Sequence, residues 1–204
     1  MLSSSQFYDL FAQDYTSYCN TSGINNFIEK EVSLVESFKP TSVLEFGIGT
    51  GRFAKEYIKR NPDTHYVGVD TSKEMLKLAK ESSAILINAD FTEYLRFLIS
   101  QGKHFDCIIA PYTAFHHIDI TEQEELIILM RLVAPCSIIN CLTVEGESLF
   151  EDSASKAISY ITQSRKMITT RIYKLSEHIR KESIRIPESK QREYLIIKGD
   201  GIKP

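Results

Sequence analysis

No apolar run in these 204 residues approaches the roughly 20 that a membrane-spanning helix needs, so no membrane span is expected. The opening Met1-Leu2-Ser3-Ser4-Ser5 lacks the positive start and the long apolar stretch of a secretory leader. Cysteine is scarce: Cys19, Cys107, Cys136 and Cys141 form no C-x-x-C pair. Buried, reduced thiols in a cytoplasmic protein are the expectation. Metal-ligand spacing is also missing, because His116 and His117 are adjacent rather than four apart and no Cys/His/Asp cluster accompanies them. There is no internal repeat and no low-complexity linker, and the length suits one domain spanning 1–204.

Charge of either sign is nearly balanced, with a net of −3, but it is unevenly spread. Residues 1–149 carry 12 basic and 20 acidic side chains, whereas 150–204 carry 12 and 7. The basic tail segment serves either a phosphorylated or nucleic-acid substrate or forms the solvated face of an outer hairpin. Hydrophobic content of 43% and charged content of 25% are those of an ordinary globular chain.

What is present is a nine-residue stretch, Val43-Leu44-Glu45-Phe46-Gly47-Ile48-Gly49-Thr50-Gly51, around which the rest is organised. An apolar pair runs into an acid and then three glycines at alternate positions. That pattern predicts a buried strand ending in a tight turn that opens into a helix. Glycine there frees the backbone for φ > 0 and lets a ligand approach the main chain. The spacing is not the G-x-G-x-x-G of dinucleotide folds, and no Lys-Ser/Thr follows, which excludes a P-loop.

Helices are expected at 5–18 and 24–38, the first amphipathic through Phe7, Leu10 and Phe11. Strands follow at 42–46, 65–69, 84–88, 105–110 and 137–144, alternating with helices at 51–60, 72–82, 92–100 and 121–133. Ser72 or Thr71 is expected to cap the 72–82 helix, and Thr121 with Glu124 reads as a capping box. Alternation of this kind means an α/β, doubly wound, mostly parallel sheet. After 150 a helix at 152–163 and strand-like stretches near 166–174, 178–186 and 192–198 are expected. Without crossover helices between them, those strands pair antiparallel and complete a seven-stranded sheet. The layout is then a helical cap (1–40), a core (41–145) and an antiparallel edge on the substrate side (146–204).

Asp70, 19 residues past Gly51, ends strand two, where a carboxylate either holds ribose hydroxyls or serves a helix N-terminus. Four stretches then stand in order: Val43–Gly51; Tyr66-Val67-Gly68-Val69-Asp70-Thr71-Ser72 with Met75-Leu76; Asn88-Ala89-Asp90-Phe91; and Phe105-Asp106-Cys107-Ile108-Ile109. Over roughly 5–145 they resemble the successive motifs of class I S-adenosylmethionine-dependent methyltransferases. The resemblance implies S-adenosyl-L-methionine as cofactor. It implies that Glu45, Gly47, Gly49 and Gly51 serve its methionine part, Asp70 and Thr71 the ribose side, and Met75, Asp90 and Phe91 the adenine. Tyr8-Asp9…Ala12…Tyr15 resembles the family's N-terminal segment that folds over the cofactor, with Tyr15 at the methionine end. Met75 and Phe91 can equally be core residues.

The acceptor side begins at Ala110-Pro111-Tyr112-Thr113-Ala114-Phe115-His116-His117-Ile118. Its Phe-His-His-Ile portion resembles ubiquinone-biosynthesis-like and other small-molecule methyltransferases. Methyl transfer to O or N often requires removal of a proton, so His116, His117 and Tyr112 are the candidates for catalysis or positioning. A structural imidazole is the alternative for each histidine. Ala110-Pro111-Tyr112 lacks the polar residue and second proline of base-amino methyltransferases, and Ala110 offers the cofactor only a backbone carbonyl. The expected reaction is methyl transfer to an O, N or C atom of a small molecule, by a monomer or homodimer. Protein or RNA substrates, a non-catalytic cofactor-binding module and, last, a nucleotide-dependent oxidoreductase are the rivals.

Overall fold

The computed structural model describes residues 3–22, 27–149, 173–187 and 190–199. Its sheet has seven strands in the order β3-β2-β1-β4-β5-β7-β6. These are β1 (Ser42–Phe46), β2 (His65–Asp70), β3 (Ile85–Asn88), β4 (Cys107–Ala110), β5 (Cys136–Leu142), β6 (Ile184–Pro187) and β7 (Arg192–Lys198). The first five pair in parallel, while β7 pairs antiparallel with both β5 and β6. The chain therefore moves outward from β1 through β3, then returns to the other side of β1 for β4. The reversal between β1 and β4 is the place where such sheets bind ligands, beyond the strand C-termini.

The central strands read as continuous apolar runs because both of their faces are covered. Alternate side chains sort into two layers. Leu44, Phe46, Val69, Ile108 and Leu195 pack with α5 (Phe91–Ser100) and α6 (Gln123–Val133). Val43, Tyr66, Cys107, Ile109 and Tyr194 pack with α2 (Ile28–Glu36) and α3 (Arg52–Arg60). Ser72 caps α4 (Lys73–Ala79) by accepting from Met75 N at 3.1 Å, and Asp90 caps α5 by accepting from Glu93 N at 3.1 Å. The long first helix, α1 (Ser4–Ser22), is fastened to α4: Asp9 Oδ1 accepts from Ser72 Oγ at 2.6 Å and from Glu74 N at 3.2 Å.

Several boundaries differ from expectation for identifiable reasons. α2 ends at Glu36, and Lys39 at φ 52° turns the chain so that Phe38 is left exposed. Thr121 is not a cap, because its N–H and hydroxyl both bind Asp119 Oδ1, and α6 starts only at Gln123. Strand five stops at Leu142, since the Thr143 hydroxyl accepts from Gly146 N and starts a helical turn at 144–149. The 178–186 stretch is a helix, Glu177–Glu182, followed by β6. Ser176 accepts from Ile179 N at 3.2 Å and so sets the helix start. The strand at 192–198 stands as expected. The helix expected at 152–163 lies outside the described residues, as does most of the 166–174 stretch.

Arg180, 4% exposed, pins this last segment to the sheet. It donates to Leu142 O at 2.8 Å and Glu147 Oε1 at 2.9 Å, and it pairs with Glu193 on β7. No helix among the described residues is long and apolar enough to cross a membrane.

Candidate functional site

A cavity of about 290 Å³ opens over the C-terminal ends of β1, β2 and β4, with α1 across it. Its floor is the turn after β1. Gly47, at φ 67°, sits where an added Cβ would fall 2.8 Å from Ala114 Cβ, so only glycine lets the two loops meet. Gly49 N donates to Asp70 Oδ2 at 2.8 Å, and Ser72 N donates to Asp70 Oδ1 at 2.9 Å. Asp70 thus shapes the turn while its remaining lone pairs line the cavity. Burial is the largest influence on its carboxyl and raises its pKa, and the two main-chain donors counter that. Thr50 Oγ1, on the same turn, is buried with no hydrogen-bond partner among the described residues. Such an atom costs about 1–3 kcal/mol unless a ligand satisfies it.

One side of the cavity is flat and apolar. Phe91 stacks on Phe46 with centroids 4.1 Å apart and planes 12° from parallel, and Met75, Asp90 and Thr71 stand beside them. The other side is aromatic and polar. Tyr8 on α1 shares a 3.0 Å hydrogen bond with His117 Nε2 and meets that ring edge-on. Arg52 is held between two rings, 4.5 Å from the Tyr112 centroid and 5.3 Å from that of Tyr15, and donates to the Tyr15 hydroxyl at 3.4 Å. Burial pushes the Tyr8, Tyr15 and Tyr112 hydroxyls upward, and holds His117 down at about 4, so that it is neutral near pH 7.

Tyr15, Gly47, Gly49, Asp70, Thr71, Met75, Asp90, Phe91, Tyr112 and His117 all line this one cavity. Four expected site residues do not. Glu45 faces away: it is 1% exposed, accepts from the Tyr66 hydroxyl at 2.8 Å, and is raised well above the carboxylate range by burial. Gly51 caps α3 at φ 77°, and its missing Cβ makes room for Ser82 rather than for a ligand. Ala110 is sealed in the layer that packs α5 and α6.

His116 is the fourth and the most informative. Leu142 N donates to its Nε2 at 3.2 Å, so the ring proton must lie on Nδ1, which donates to Tyr173 O at 2.6 Å. Both ring nitrogens are committed to backbone, and burial lowers its pKa to about 4. It is a post joining the 114–117 turn, β5 and the segment before Glu177, and it does not line the cavity in which the catalytic role was expected.

Residues missed from sequence are Arg52, Thr50 and Phe46, with Tyr8 given only through the family likeness. Arg52 carried a signal: it is a cation in the first turn of a helix, where the macrodipole disfavours it, so something else must hold it there.

The sheet order, the glycine turn and the acid at the end of β2 place the chain among doubly wound α/β proteins. Residues 43–135 match a protein-family profile described as a methyltransferase domain. A protein of Anoxybacillus flavithermus named an uncharacterized methyltransferase is 35% identical over 104 residues, 51% of this chain and 43% of that protein. The chain thus spans under half the length of that relative. Magnesium protoporphyrin IX methyltransferase from Synechocystis, with bound SAH, superposes at TM-score 0.61 and 13% identity, covering 90% of this chain and 86% of that one. The plantazolicin methyltransferase BpumL, in complex with SAH, superposes at 0.56 and 16% identity, covering 94% and 95%. Residues 43–135 thus resemble a methyltransferase domain, and the two solved neighbours share the fold of this chain. Both of those solved neighbours hold SAH. The cavity suits that group: it has an aromatic slot, a carboxylate at the strand end, and an unsatisfied hydroxyl on the glycine turn.

Proposed function

We propose that this chain transfers a methyl group to an O, N or C atom of a small molecule. The observation that carries the reading is the two-sided cavity under α1. A cofactor half (Gly47, Gly49, Asp70, Met75, Phe91) and an aromatic-polar half (Tyr8, Tyr15, Tyr112, His117) share one partly open cavity. When bound, S-adenosylmethionine supplies an electrophilic methyl group. The chain's own part is to orient and to exclude water. Asp70 and Asp90 would offer carboxylate acceptors to polar hydrogens, and the Phe46–Phe91 stack and Met75 would give a flat base an apolar wall. Tyr8 fixes the His117 ring, and neutral His117 can then hold or accept a proton on the acceptor side. α1, fastened through Asp9 to Ser72, covers one side of the cavity and limits its contact with bulk water, which strengthens the polar contacts beneath it. A roofed cavity favours a small acceptor over a macromolecule, which would need an open approach.

The test is calorimetric titration with S-adenosylmethionine and, separately, S-adenosylhomocysteine, followed by an assay of S-adenosylhomocysteine formation across a panel of small alcohols, phenols and amines. Micromolar binding with turnover of a panel member is expected. Binding of neither nucleoside would overturn the assignment.

A further inference from the structure

The four cysteines fall into two kinds. Cys19 and Cys141 are buried singly, and burial is the main influence that raises both thiols above their usual range. Cys107 and Cys136 are neighbours. Ile108 on β4 pairs with Ser137 on β5 in parallel register, so one residue earlier Cys107 lies opposite Cys136. Side chains opposite each other on adjacent strands project to the same face, and both cysteines belong to the layer beneath α2 and α3. Adjacent strands lie about 4.8 Å apart, within the roughly 4.4–6.8 Å between Cα atoms that a disulfide spans.

The two thiols differ as the members of a reactive pair must. Cys107 is 0% exposed, whereas Cys136 is only half-buried. The Cys107 thiol donates to the Cys136 sulfur. That hydrogen bond draws Cys136 below the usual thiol range and lifts Cys107 well above it, with burial adding to the lift. Ile108 O, 3.7 Å from Cys107 Sγ, is a second acceptor for the same proton. Cys136 therefore combines partial exposure, thiolate character and a second thiol against it, which are the properties of an oxidation-prone sulfur.

We propose that Cys136 and Cys107 are a modification site, a dithiol that hydrogen peroxide converts to a reversible disulfide, Cys136 attacking and Cys107 resolving. The Cys136 thiolate attacks one peroxide oxygen: an S–O bond forms, the O–O bond breaks, and the departing hydroxide takes up a proton as water. Sulfur is oxidised to a sulfenic acid while the peroxide is reduced. The Cys107 sulfur then attacks the Cys136 sulfur. An S–S bond forms, the S–O bond breaks, and the hydroxyl leaves with the Cys107 proton as a second water. Two thiols and one peroxide thus give one disulfide and two waters, and a thiol reductant reverses the bond by exchange. Neither cysteine lines the cavity. Cys107 lies four residues before Pro111, about 13 Å along an extended strand. The disulfide would instead close residues 107–136, which hold the 111–118 turn and α6, into a covalent loop. The site is independent of the methyltransferase reading and stands or falls without it.

The experiment exposes the reduced full chain to hydrogen peroxide, quenches by alkylation in denaturant, and reads intact mass and tryptic peptides. Loss of two of the four free thiols is expected, with a bond between the Cys107 and Cys136 peptides and return of both thiols on dithiothreitol. Cys136 and Cys141 share a tryptic peptide, so its fragmentation assigns the bond. Cys107→Ala removes the resolving thiol, and dimedone should then capture a sulfenic acid on Cys136. Cys136→Ser should leave Cys107 a thiol at the same dose. The wild-type peptide map decides the matter even where a variant fails to fold. Three results would overturn the proposal: oxidation of Cys19 or Cys141 ahead of Cys136, a Cys136 that advances to sulfinic acid while Cys107 stays a thiol, or four thiols intact at a dose that oxidises free dithiothreitol.

Discussion

Replacing His116 with alanine distinguishes a post from a catalyst. The substitution strands two buried main-chain groups, Leu142 N–H and Tyr173 C=O, each at about 1–3 kcal/mol. With the packing lost from a residue only 2% exposed, roughly 4 kcal/mol of stability should disappear near pH 7.5. The loss also has a pH signature. Folding depresses the ring's pKa from 6.5 to about 4. The unfolded chain therefore takes up a proton below 6.5 that the native chain refuses until about 4. The stability His116 contributes is full above 6.5 and shrinks as pH falls, by about 3 kcal/mol over that window. Urea denaturation at half-unit steps from pH 7.5 to 4 should show the variant far less stable at the top of the range. The gap from wild type should narrow steadily towards the bottom. Activity per folded molecule, once an acceptor is known, should be retained at low temperature. A variant as stable as wild type with turnover lost, or a gap independent of pH, would refute the reasoning and return His116 to catalysis.

Other substitutions test the rest of the frame. Asp70→Asn keeps a single acceptor for Gly49 N and Ser72 N and should weaken S-adenosylmethionine binding at least about tenfold in calorimetry while the far-ultraviolet spectrum is unchanged. Gly47→Ala at φ 67° meets Ala114 and should cost about 1–3 kcal/mol in urea denaturation together with cofactor affinity. Arg180→Met leaves Glu147 and Glu193 buried without their shared cation and should cost about 3–5 kcal/mol by the same assay, with Arg180→Lys recovering part of it.

The parallel core was legible because each strand is a short, mostly apolar run closed by an acid or a turn. Ser42–Phe46 and His65–Asp70 needed little else. The misread ends have one common cause. Where a polar side chain chooses between partners, spacing alone does not say which it takes. Thr121 was paired with Glu124 on the capping-box spacing and instead binds Asp119, two residues back. Thr143 looked like strand and instead turns the chain through Gly146. The stretch 178–186 carries residues that suit either state, and Ser176 as a cap decided for helix.

The site divides along the same line. Residues whose role follows from backbone shape, such as Gly47 and Asp70, could be read from spacing. Those whose role depends on a distant partner could not. His116 and His117 are identical neighbours in sequence, yet one meets Tyr173 and Leu142 while the other meets Tyr8 and the cavity. That difference comes from which way a turn with Thr113 at φ 64° points two consecutive rings, and composition says nothing about it. Glu31 marks the limit from the other side. It lies at the i+3 place of the stripe Ile28, Val32, Val35, where a helix facing the core should carry an apolar side chain. A carboxylate on a buried stripe costs stability unless it is partnered, and here the Tyr194 hydroxyl on β7 donates to Oε1 at 3.0 Å while Tyr112, from the turn after β4, hydrogen-bonds it as well. Both partners are far away in sequence, so the spacing that marks Glu31 as misplaced cannot say what holds it.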